Sequence, residues 1–259
     1  MLRGIRFFIM ALILVLTLLV STVSCAASVS DGECDAVQAD LDRANAELDE
    51  AKAKVSETKA ALDKAKAELV EVKVASLEEL LRQRRSVRDY ADEPLTQEEV
   101  LRLLWAAQGK TRPWGGRTAP SAGALYPLEI YLVAGNVENL APGVYKYEPA
   151  DEKLTHVKDG DVRASLSAAA LGQSCVRTGA IDIVIAAVYA RTTGKYGSRG
   201  ERYVHIEVGH AAQNICLQAP ALGLGLVTIG AFQDNLVKTI VGMAADETPL
   251  YIIPVGRET

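Results

Sequence analysis

The sequence is poor in cysteine and has no excess of positive charge. Its 259 residues include four cysteines, and no two stand at the spacing of a metal-binding pair. The absence of such a pair argues against a zinc or iron–sulfur site. The formal net charge is −5, whereas a general nucleic-acid binder needs a broad basic surface. We therefore expect a protein that holds no metal and binds no nucleic acid.

Glycine, proline and aromatic residues are absent between Asp35 and Val74. Such a stretch predicts one long helix, and its residues fill the a and d positions of a heptad repeat. The a positions are Leu41, Leu48, Val55, Leu62 and Leu69, and the d positions are Ala44, Ala51, Thr58, Ala65 and Val72. We predict a coiled-coil stalk over residues 31–75. A solvated single helix is the alternative, because most d residues are alanine.

Residues 1–30 place Arg3 and Arg6 before a predominantly apolar run from Phe7 to Val20. This order is typical of a signal peptide or a membrane anchor, and Cys25 adds the alternative of a lipoprotein. We expect the chain to be membrane-anchored or exported through this segment. Acidic residues follow the run, which predicts that the rest of the chain lies on the extracytoplasmic face.

The remaining residues, 76–259, predict one globular domain. Ser76 followed by Glu79 is a capping box that starts a helix. The predicted strands cover 129–135, 143–149, 153–157, 181–190, 225–232 and 251–256, and the predicted helices cover 76–85, 96–108, 161–171, 200–222 and 233–241. Because strands and helices are interspersed without strict alternation, we predict an α+β sandwich.

Arginines cluster between residues 82 and 88 of this acidic chain. Arg82 suits the end of a helix, where a cation favours the dipole. Arg84, Arg85 and Arg88 continue into the following loop together with Ser86. Guanidinium groups and a hydroxyl are the donors that a phosphate monoester prefers. We predict a phosphate site here, with a role at the helix end as the alternative.

Five segments of the globular part carry distinctive motifs. They are "RRSVRDY" (84–90), "PSAGALYPLEIYLV" (120–133), "KYGSRGERYVHIEVGHAAQN" (195–214), "LGLGLVTIGAF" (222–232) and "PVGR" (254–257). Taken in this order, they resemble the nitroreductase superfamily, and together they look most like its SagB-type (ThcOx-type) dehydrogenase branch. The resemblance covers residues 77–259. It implies an α/β/α sandwich with a central, mainly antiparallel sheet, an FMN cofactor and a homodimer.

The resemblance also implies roles for single residues in FMN binding. Arg84, Arg85 and Ser86 match residues that hold the FMN phosphate and ribityl chain, and Arg88 matches the residue facing the flavin pyrimidine edge. The other matched positions are Gly256 and Arg257, in a second phosphate-binding arm; Ser121, Ala122 and Gly123, in a loop that reaches the flavin of the other subunit; and Thr228, Ile229 and Gly230, beside the central nitrogen of the flavin. Family members often carry proline where Thr228 stands.

Lys195 and Tyr196 match a Lys-Tyr pair that is implicated in catalysis by azoline-oxidising members of the branch. There, removal of a proton is coupled to hydride transfer onto FMN. A lysine or a tyrosine in a desolvated pocket can act as such a base. Composition alone offers the alternative of a glycine-rich surface loop with solvated side chains. Glu207, in the helix predicted at 200–222, stays unassigned, since a buried carboxylate must be paired.

The function implied by the resemblance is that of an FMN-dependent oxidoreductase, in which hydride passes between a small-molecule or peptide substrate and FMN. One alternative is a nitro or quinone reductase that uses NAD(P)H, or a quinone-linked donor. Another is a membrane-tethered coiled-coil scaffold with a non-catalytic flavin fold.

Overall fold

A computed structural model describes residues 31–71 and 76–259, and within the first range it describes the side chains of residues 38–62. These residues belong to two compact units. The first contains helix α1 (Asp31–Glu71), which confirms the long helix predicted from the sequence. On α1 the described heptad residues are exposed, and those at the a positions range from 38% for Leu41 to 66% for Val55. Pairing of α1 in a coiled coil therefore stays a prediction.

The predicted localisation is corrected. Within the described parts of the chain, no helix is both long enough and apolar enough to cross a membrane. Membrane anchoring is accordingly not supported by these residues. The segment predicted as a signal peptide or anchor, residues 1–30, lies outside the described residues.

Two helices open the second unit, and each begins at a capping box. Helix α2 (Leu77–Gln83) follows Ser76, whose hydroxyl accepts the N–H of Glu79 while the Glu79 carboxylate accepts the N–H of Ser76. Helix α3 (Gln97–Gln108) begins in the same way. Each box satisfies backbone donors that the start of a helix leaves without partners. The helix start predicted at Ser76 is confirmed. The later helices are α4 (Arg163–Ala169), α5 (Ser174–Thr178), α6 (Tyr189–Tyr196), α7 (Arg199–Ala221) and α8 (Asp234–Val241).

The strands of the described chain form one seven-stranded sheet. They are β1 (Tyr90–Ala91), β2 (Leu128–Ala134), β3 (Gly143–Glu148), β4 (Lys153–Asp159), β5 (Ile181–Ala187), β6 (Leu224–Leu226) and β7 (Thr248–Glu258). Their order is β1-β7-β5-β2-β3-β4, and β6 also pairs with β7. Every one of these pairings is antiparallel. The outermost strand, β4, keeps five of its seven side chains exposed.

Helices cover both faces of the sheet, because successive side chains of a strand point to opposite faces. Ile130 and Leu132 of β2 belong to a core shared with α3 and α7. Tyr131 and Val133 of the same strand belong to a second core shared with α4, α5 and α8. The domain is thus an α/β/α sandwich with a mainly antiparallel sheet, as predicted.

Three predicted elements end differently from expectation. The strand predicted at 181–190 stops at Ala187, because α6 begins two residues later. The segment predicted as a strand at 225–232 contains only β6, followed by irregular chain with one bridge from Ile229 to Ile252. The helix predicted at 161–171 is the shorter α4, which ends at Ala169, and the separate helix α5 that follows it was not predicted. The two are interrupted at Leu171 and Gly172, whose φ angles are 59° and 76°. Such left-handed residues cannot continue a right-handed helix.

One buried acid in the sheet has no partner among the described residues. Asp182 of β5 is completely buried, and within the part of the chain that the structure describes neither of its carboxyl oxygens has a hydrogen-bond partner. The positive charge of Arg163 acts on Asp182, but the guanidinium of Arg163 binds Asp161 and the carbonyl of Gly179. Burial therefore raises the pKa of Asp182 well above its usual range.

We predict that Asp182→Asn stabilises the protein relative to wild type by an amount that grows from pH 5 to pH 8. When the pKa of an acid is raised in the folded state, the protein has its full stability below the pKa of that acid in the unfolded state, which is about 3.9 for aspartate. That stability is lost as the pH rises towards the folded pKa, and each pH unit in this range lowers the free energy of unfolding by up to about 1.4 kcal/mol. Thermal unfolding at several pH values measures the difference.

Glu99→Gln is the matched control, because hydrogen bonds from Thr96 and Arg257 hold the pKa of Glu99 below its usual range. Its stabilising effect is lost only as the pH falls through that lowered pKa. The variant should therefore lose stability by a nearly constant amount between pH 5 and pH 8, of about 0.5–2 kcal/mol for a weakened helix cap. A pH-independent effect of Asp182→Asn would contradict the assignment of Asp182 as an unpaired acid.

Candidate functional site

The arginine-rich segment that follows α2 is fixed to the sheet at Val87. This residue is buried, and its N–H donates to the carbonyl of Leu226 at 2.8 Å. The Val87 carbonyl accepts the hydroxyl of Tyr90 at 2.8 Å, and the same hydroxyl lies 3.1 Å from the carbonyl of Pro254. The neighbours of Val87 in the chain, Ser86 and Arg88, remain exposed. One buried residue therefore holds a polar segment at the surface.

Three of the predicted phosphate-binding residues surround a single cavity of about 250 Å³, which we call the arginine cavity. It is lined by Arg85, Ser86, Val87, Arg88, Asp89, Glu258 and Thr259. Arg85 forms an ion pair with Glu258, but the two side chains are 64% and 38% exposed. An exposed pair of this kind contributes only about 0–1 kcal/mol. The Arg85 guanidinium is therefore held only weakly by Glu258, and with Ser86 and Arg88 it supplies donors of the kind that suit a phosphate group. Binding of the FMN phosphate in this cavity stays a prediction.

Arg84 lies apart from the lining of the arginine cavity. It ends α2, where its backbone N–H donates to the carbonyl of Leu80 at 2.9 Å. Its charge acts on Cys216 of α7, whose pKa is raised by burial and partly lowered by Arg84. The assignment of Arg84 to phosphate binding stays a prediction.

The second predicted phosphate arm already has partners within the protein. Arg257 donates two hydrogen bonds to Glu99, from Nη1 to Oε1 at 3.0 Å and from Nη2 to Oε2 at 3.1 Å. Gly256 is needed for packing, because an added Cβ would lie 2.8 Å from the Cβ and Cγ atoms of Tyr90. Arg257 thus ties β7 to the first turn of α3. A role of Gly256 and Arg257 in holding phosphate stays a prediction.

The segment from Thr228 to Gly230 runs beside β7. Ile229 is buried and exchanges two backbone hydrogen bonds with Ile252, at 2.8 and 3.0 Å. The preceding strand, β6, accepts the bond from Val87 described above. The segment predicted to pass the flavin ring and the arginine-rich segment therefore meet at β6.

The loop from Ser121 to Tyr126, called here the 121–126 loop, has an unusual backbone. The φ angles are 66° at Gly123, 54° at Ala124 and 46° at Tyr126. A left-handed residue other than glycine costs about 1–3 kcal/mol, so such a conformation persists only where the surroundings hold it. One such contact is the hydrogen bond from the N–H of Tyr126 to Oγ of Ser121, at 2.9 Å.

Lys195 and Tyr196 lie against this loop. They occupy the last turn of α6 rather than an irregular loop. A Cβ added to Gly123 would stand 2.7 Å from the Tyr196 hydroxyl and 3.0 Å from Nζ of Lys195. The missing side chain at Gly123 therefore makes room for an amine and a phenol side by side. The Tyr196 ring is held in turn by edge-to-face packing on Tyr203, with 5.1 Å between the ring centres.

A group of polar side chains adjoins the same loop, and we call it the Glu207 cluster. It consists of Gln108, Arg117, Ser121, Tyr126 and Glu207. Gln108 is fully buried and Glu207 is 3% exposed. Nη1 of Arg117 donates to Oε1 of Gln108 at 2.9 Å, and the guanidinium carbon of Arg117 lies 4.5 Å from the centre of the Tyr126 ring. The Ser121 side chain acts on the carboxyl of Glu207 and lowers its pKa.

Burial raises the pKa of Glu207 to about 7, because Ser121, Arg117 and Gln108 offset only part of the cost of burying its charge. The sequence patterns assign no role to Glu207 and do not single out Gln108 or Arg117. Gln108 carried a usable signal, since it is a polar residue on the buried face of α3, one turn after Leu104. Arg117, in a loop, carried none.

A second cavity, of about 270 Å³, lies beside the 121–126 loop. It is lined by Pro120, Ser121, Ala122, Tyr203, Ile206, Glu207 and His210. Of the residues that the structure describes, none lines both this cavity and the arginine cavity. The predicted site residues therefore form two groups in the described chain. One is gathered at β6 and β7, and the other at the 121–126 loop.

Comparison with known proteins identifies relatives of this chain. Residues 81–257 match the model of the Nitroreductase family. The chain is 47% identical over 187 residues to "Putative nitroreductase MJ1384" of Methanocaldococcus jannaschii, an overlap of 72% of this chain and 93% of that protein. It is 32% identical over 133 residues to the Microcin B17-processing protein McbC of Escherichia coli, an overlap of 49% of this chain and 48% of McbC.

A solved structure also resembles this chain. The E. coli Microcin synthetase McbBCD complex with truncated pro-MccB17 bound contains a chain that matches with a TM-score of 0.62 and 26% identity, over 68% of this chain and 70% of that one. The family match covers more than half of the present chain. The chain therefore belongs to the nitroreductase family of flavin-dependent oxidoreductases.

Proposed function

We propose that the protein is an FMN-dependent dehydrogenase of the SagB type, which removes a hydride and a proton from its substrate. The observation that carries this proposal is the position of Lys195 and Tyr196, whose polar ends converge on Gly123. A reductase that takes hydride from a nicotinamide needs no base beside the flavin, whereas a dehydrogenase that breaks a C–H bond and releases a proton does.

FMN would be held by residues from both groups of the site. Arg85, Ser86 and Arg88 supply donors in the arginine cavity for the phosphate and the pyrimidine edge, with Arg84, Gly256 and Arg257 as further proposed contacts. Thr228, Ile229 and Gly230 would lie along the ring. FMN supplies the capacity to accept a hydride and to pass its electrons to an acceptor such as oxygen. The protein supplies binding and orientation.

A homodimer would bring the two groups together. The arginine cavity and the cavity beside the 121–126 loop share no lining residue within the described chain, so we propose that the Ser121, Ala122 and Gly123 of one copy meet the flavin held by the other. The exposed heptad residues of α1 offer a further surface for pairing as a coiled coil.

Lys195 and Tyr196 are the proposed catalytic residues. Nζ of Lys195 lies 5.4 Å from the centre of the Tyr196 ring, which places the amine beside the phenol. One of these groups would take the proton from the substrate carbon, and its neighbour would stabilise the charge that results. The packing of Tyr196 on Tyr203 fixes the direction of the hydroxyl.

The proposed substrate is a peptide or a small molecule that contains an azoline ring. McbC is named as a microcin-processing protein, and the matched McbBCD complex holds a truncated pro-peptide. A second candidate function, reduction of nitro compounds or quinones with NAD(P)H, is favoured by the 47% identity to the M. jannaschii protein. The two candidates make different demands on Lys195 and Tyr196.

The flavin proposal predicts that Arg88→Ala and Ser86→Ala each weaken FMN binding. A charge-assisted hydrogen bond contributes about 1.5–3 kcal/mol, so the affinity should fall roughly 10- to 100-fold for Arg88→Ala, and by less for the neutral hydroxyl. Titration of FMN fluorescence against the purified protein measures the affinity. Arg82→Ala is the control, because this exposed arginine lies on α2 outside the arginine cavity. Loss of affinity in the control alone would refute the site.

The dehydrogenase proposal predicts a selective effect of Lys195→Ala and Tyr196→Phe. Oxidation of an azoline-containing peptide should fall by about 10²–10⁴, the contribution of a general base, while FMN stays bound. Oxidation of NADPH with menadione as acceptor should change little, because that hydride transfer releases no proton from carbon to a base. Lys153→Ala, on the exposed strand β4, is the control. Equal loss of both activities would favour the reductase.

A further inference from the structure

Two chains of polar contacts lead from the 121–126 loop to Glu207. In one chain the N–H of Tyr126 donates to Oγ of Ser121, and the Ser121 side chain in turn acts on the Glu207 carboxyl and favours its ionised form. In the other, Arg117 donates to Oε1 of Gln108, which directs the amide nitrogen of Gln108 towards Glu207. The cation–π contact between Arg117 and Tyr126 joins the two chains. Glu207 is thus linked to the 121–126 loop directly through Ser121 and indirectly, by way of Gln108 and Arg117, through Tyr126.

The second chain is incomplete. Nε2 of Gln108 and Oε1 of Glu207 are both buried, and neither has a hydrogen bond of good geometry to any described residue. A buried polar atom without a partner costs about 1–3 kcal/mol, and an ionised carboxylate costs more than a neutral acid. Arg117 offsets little of the cost of burying the Glu207 carboxylate, because its guanidinium also contacts Gln108 and Tyr126. Of the other titratable groups, Tyr203 and His210 line the same cavity from the helix that carries Glu207. The closed arrangement therefore suits a neutral Glu207.

We infer that Glu207 is a positioning residue for the 121–126 loop, and that it holds the loop closed in its neutral form and loosens it when it ionises. Ser121 and Ala122 of the loop, together with Pro120, border the cavity that contains Glu207. Opening of the loop would let water reach the carboxyl, and ionisation would then favour the open form by linkage. The proposed function places this loop at the flavin, and the inference gains its catalytic meaning from that proposal.

The size of the effect follows from the two protonation equilibria. The pKa of Glu207 is about 7 in the closed form, and that of a hydrated glutamate is about 4.3. Linkage then predicts that the ratio of closed to open loop falls roughly tenfold between pH 6 and pH 8. A group with a purely structural role would show no such pH profile.

The test is hydrogen exchange of the full-length protein without flavin, followed at the Tyr126 amide and its neighbours in the loop. After correction for the intrinsic pH dependence of exchange, wild-type protection should fall about tenfold from pH 6 to pH 8. Glu207→Gln, which imitates the neutral acid, should keep the same protection at both values. Glu201→Gln, an exposed acid in the first turn of α7, is the control and should behave as wild type.

Ser121→Ala provides a second variant that leaves α7 untouched, for use if Glu207→Gln fails to fold by circular dichroism. It removes one of the groups that favour the ionised carboxyl, so the midpoint of the pH profile should move upwards. Wild-type protection that is constant or rises with pH would overturn the inference, and so would a pH profile that survives in Glu207→Gln.

The same samples separate this inference from the proposed function. If loop protection follows the expected profile but FMN does not bind, the positioning role stands and the flavin proposal fails. If FMN binds to wild type and the loop protection is independent of pH, the flavin proposal stands and the inference fails. Neither result depends on a catalytic assay.

Discussion

Backbone pairing along β7 is the constraint on which the rest of the domain depends. This strand pairs with β5 in the middle of the sheet and with both β1 and β6 near its end. The segment after β6 is bonded to β7 at Ile229, and the arginine-rich segment is bonded to β6 at Val87. Because each of these pairings has a fixed register, a shift of one residue in β7 would move its side chains, Glu258 among them, to the opposite face of the sheet.

The side chains of the last residues of β7 use this register. Glu258 reaches Arg85 beside the arginine cavity, and Arg257 reaches Glu99 in the first turn of α3. Adjacent residues of a strand point to opposite faces, so one strand end links two different helical neighbours. The pair between Arg257 and Glu99 also fixes the capping residue of α3, whose far end carries Gln108. The two groups of the site are thus connected through α3.

Much of the fold could be predicted because it follows from local pattern. The capping box at Ser76 marked a helix start, and the absence of glycine and proline from 35 to 74 marked the long helix. The site could be predicted only in part. Lys195 and Tyr196 were named, but their closeness to Gly123 depends on the packing of α6 on a loop far away in sequence. The Glu207 cluster joins residues from three separate segments, and its hydrogen bonds exist only in the folded chain. Arg257 was assigned to phosphate binding by the family resemblance of its segment, and the ion pair with Glu99 could not be read from the sequence.

The exposed edge strand β4 has a consequence for how an extended substrate can approach. An uncovered sheet edge offers free N–H and C=O groups to any extended chain, and proteins block such edges with charged side chains. Strand β4 carries Lys153, Lys158 and Asp159 at this edge, and the strand at the other end of the sheet order, β1, is only two residues long. A peptide therefore finds no apolar edge in the described sheet on which it could add itself as a further strand. Recognition of a polypeptide by this domain would have to read side chains or a modified ring in a pocket, and the sheet itself is protected from self-association.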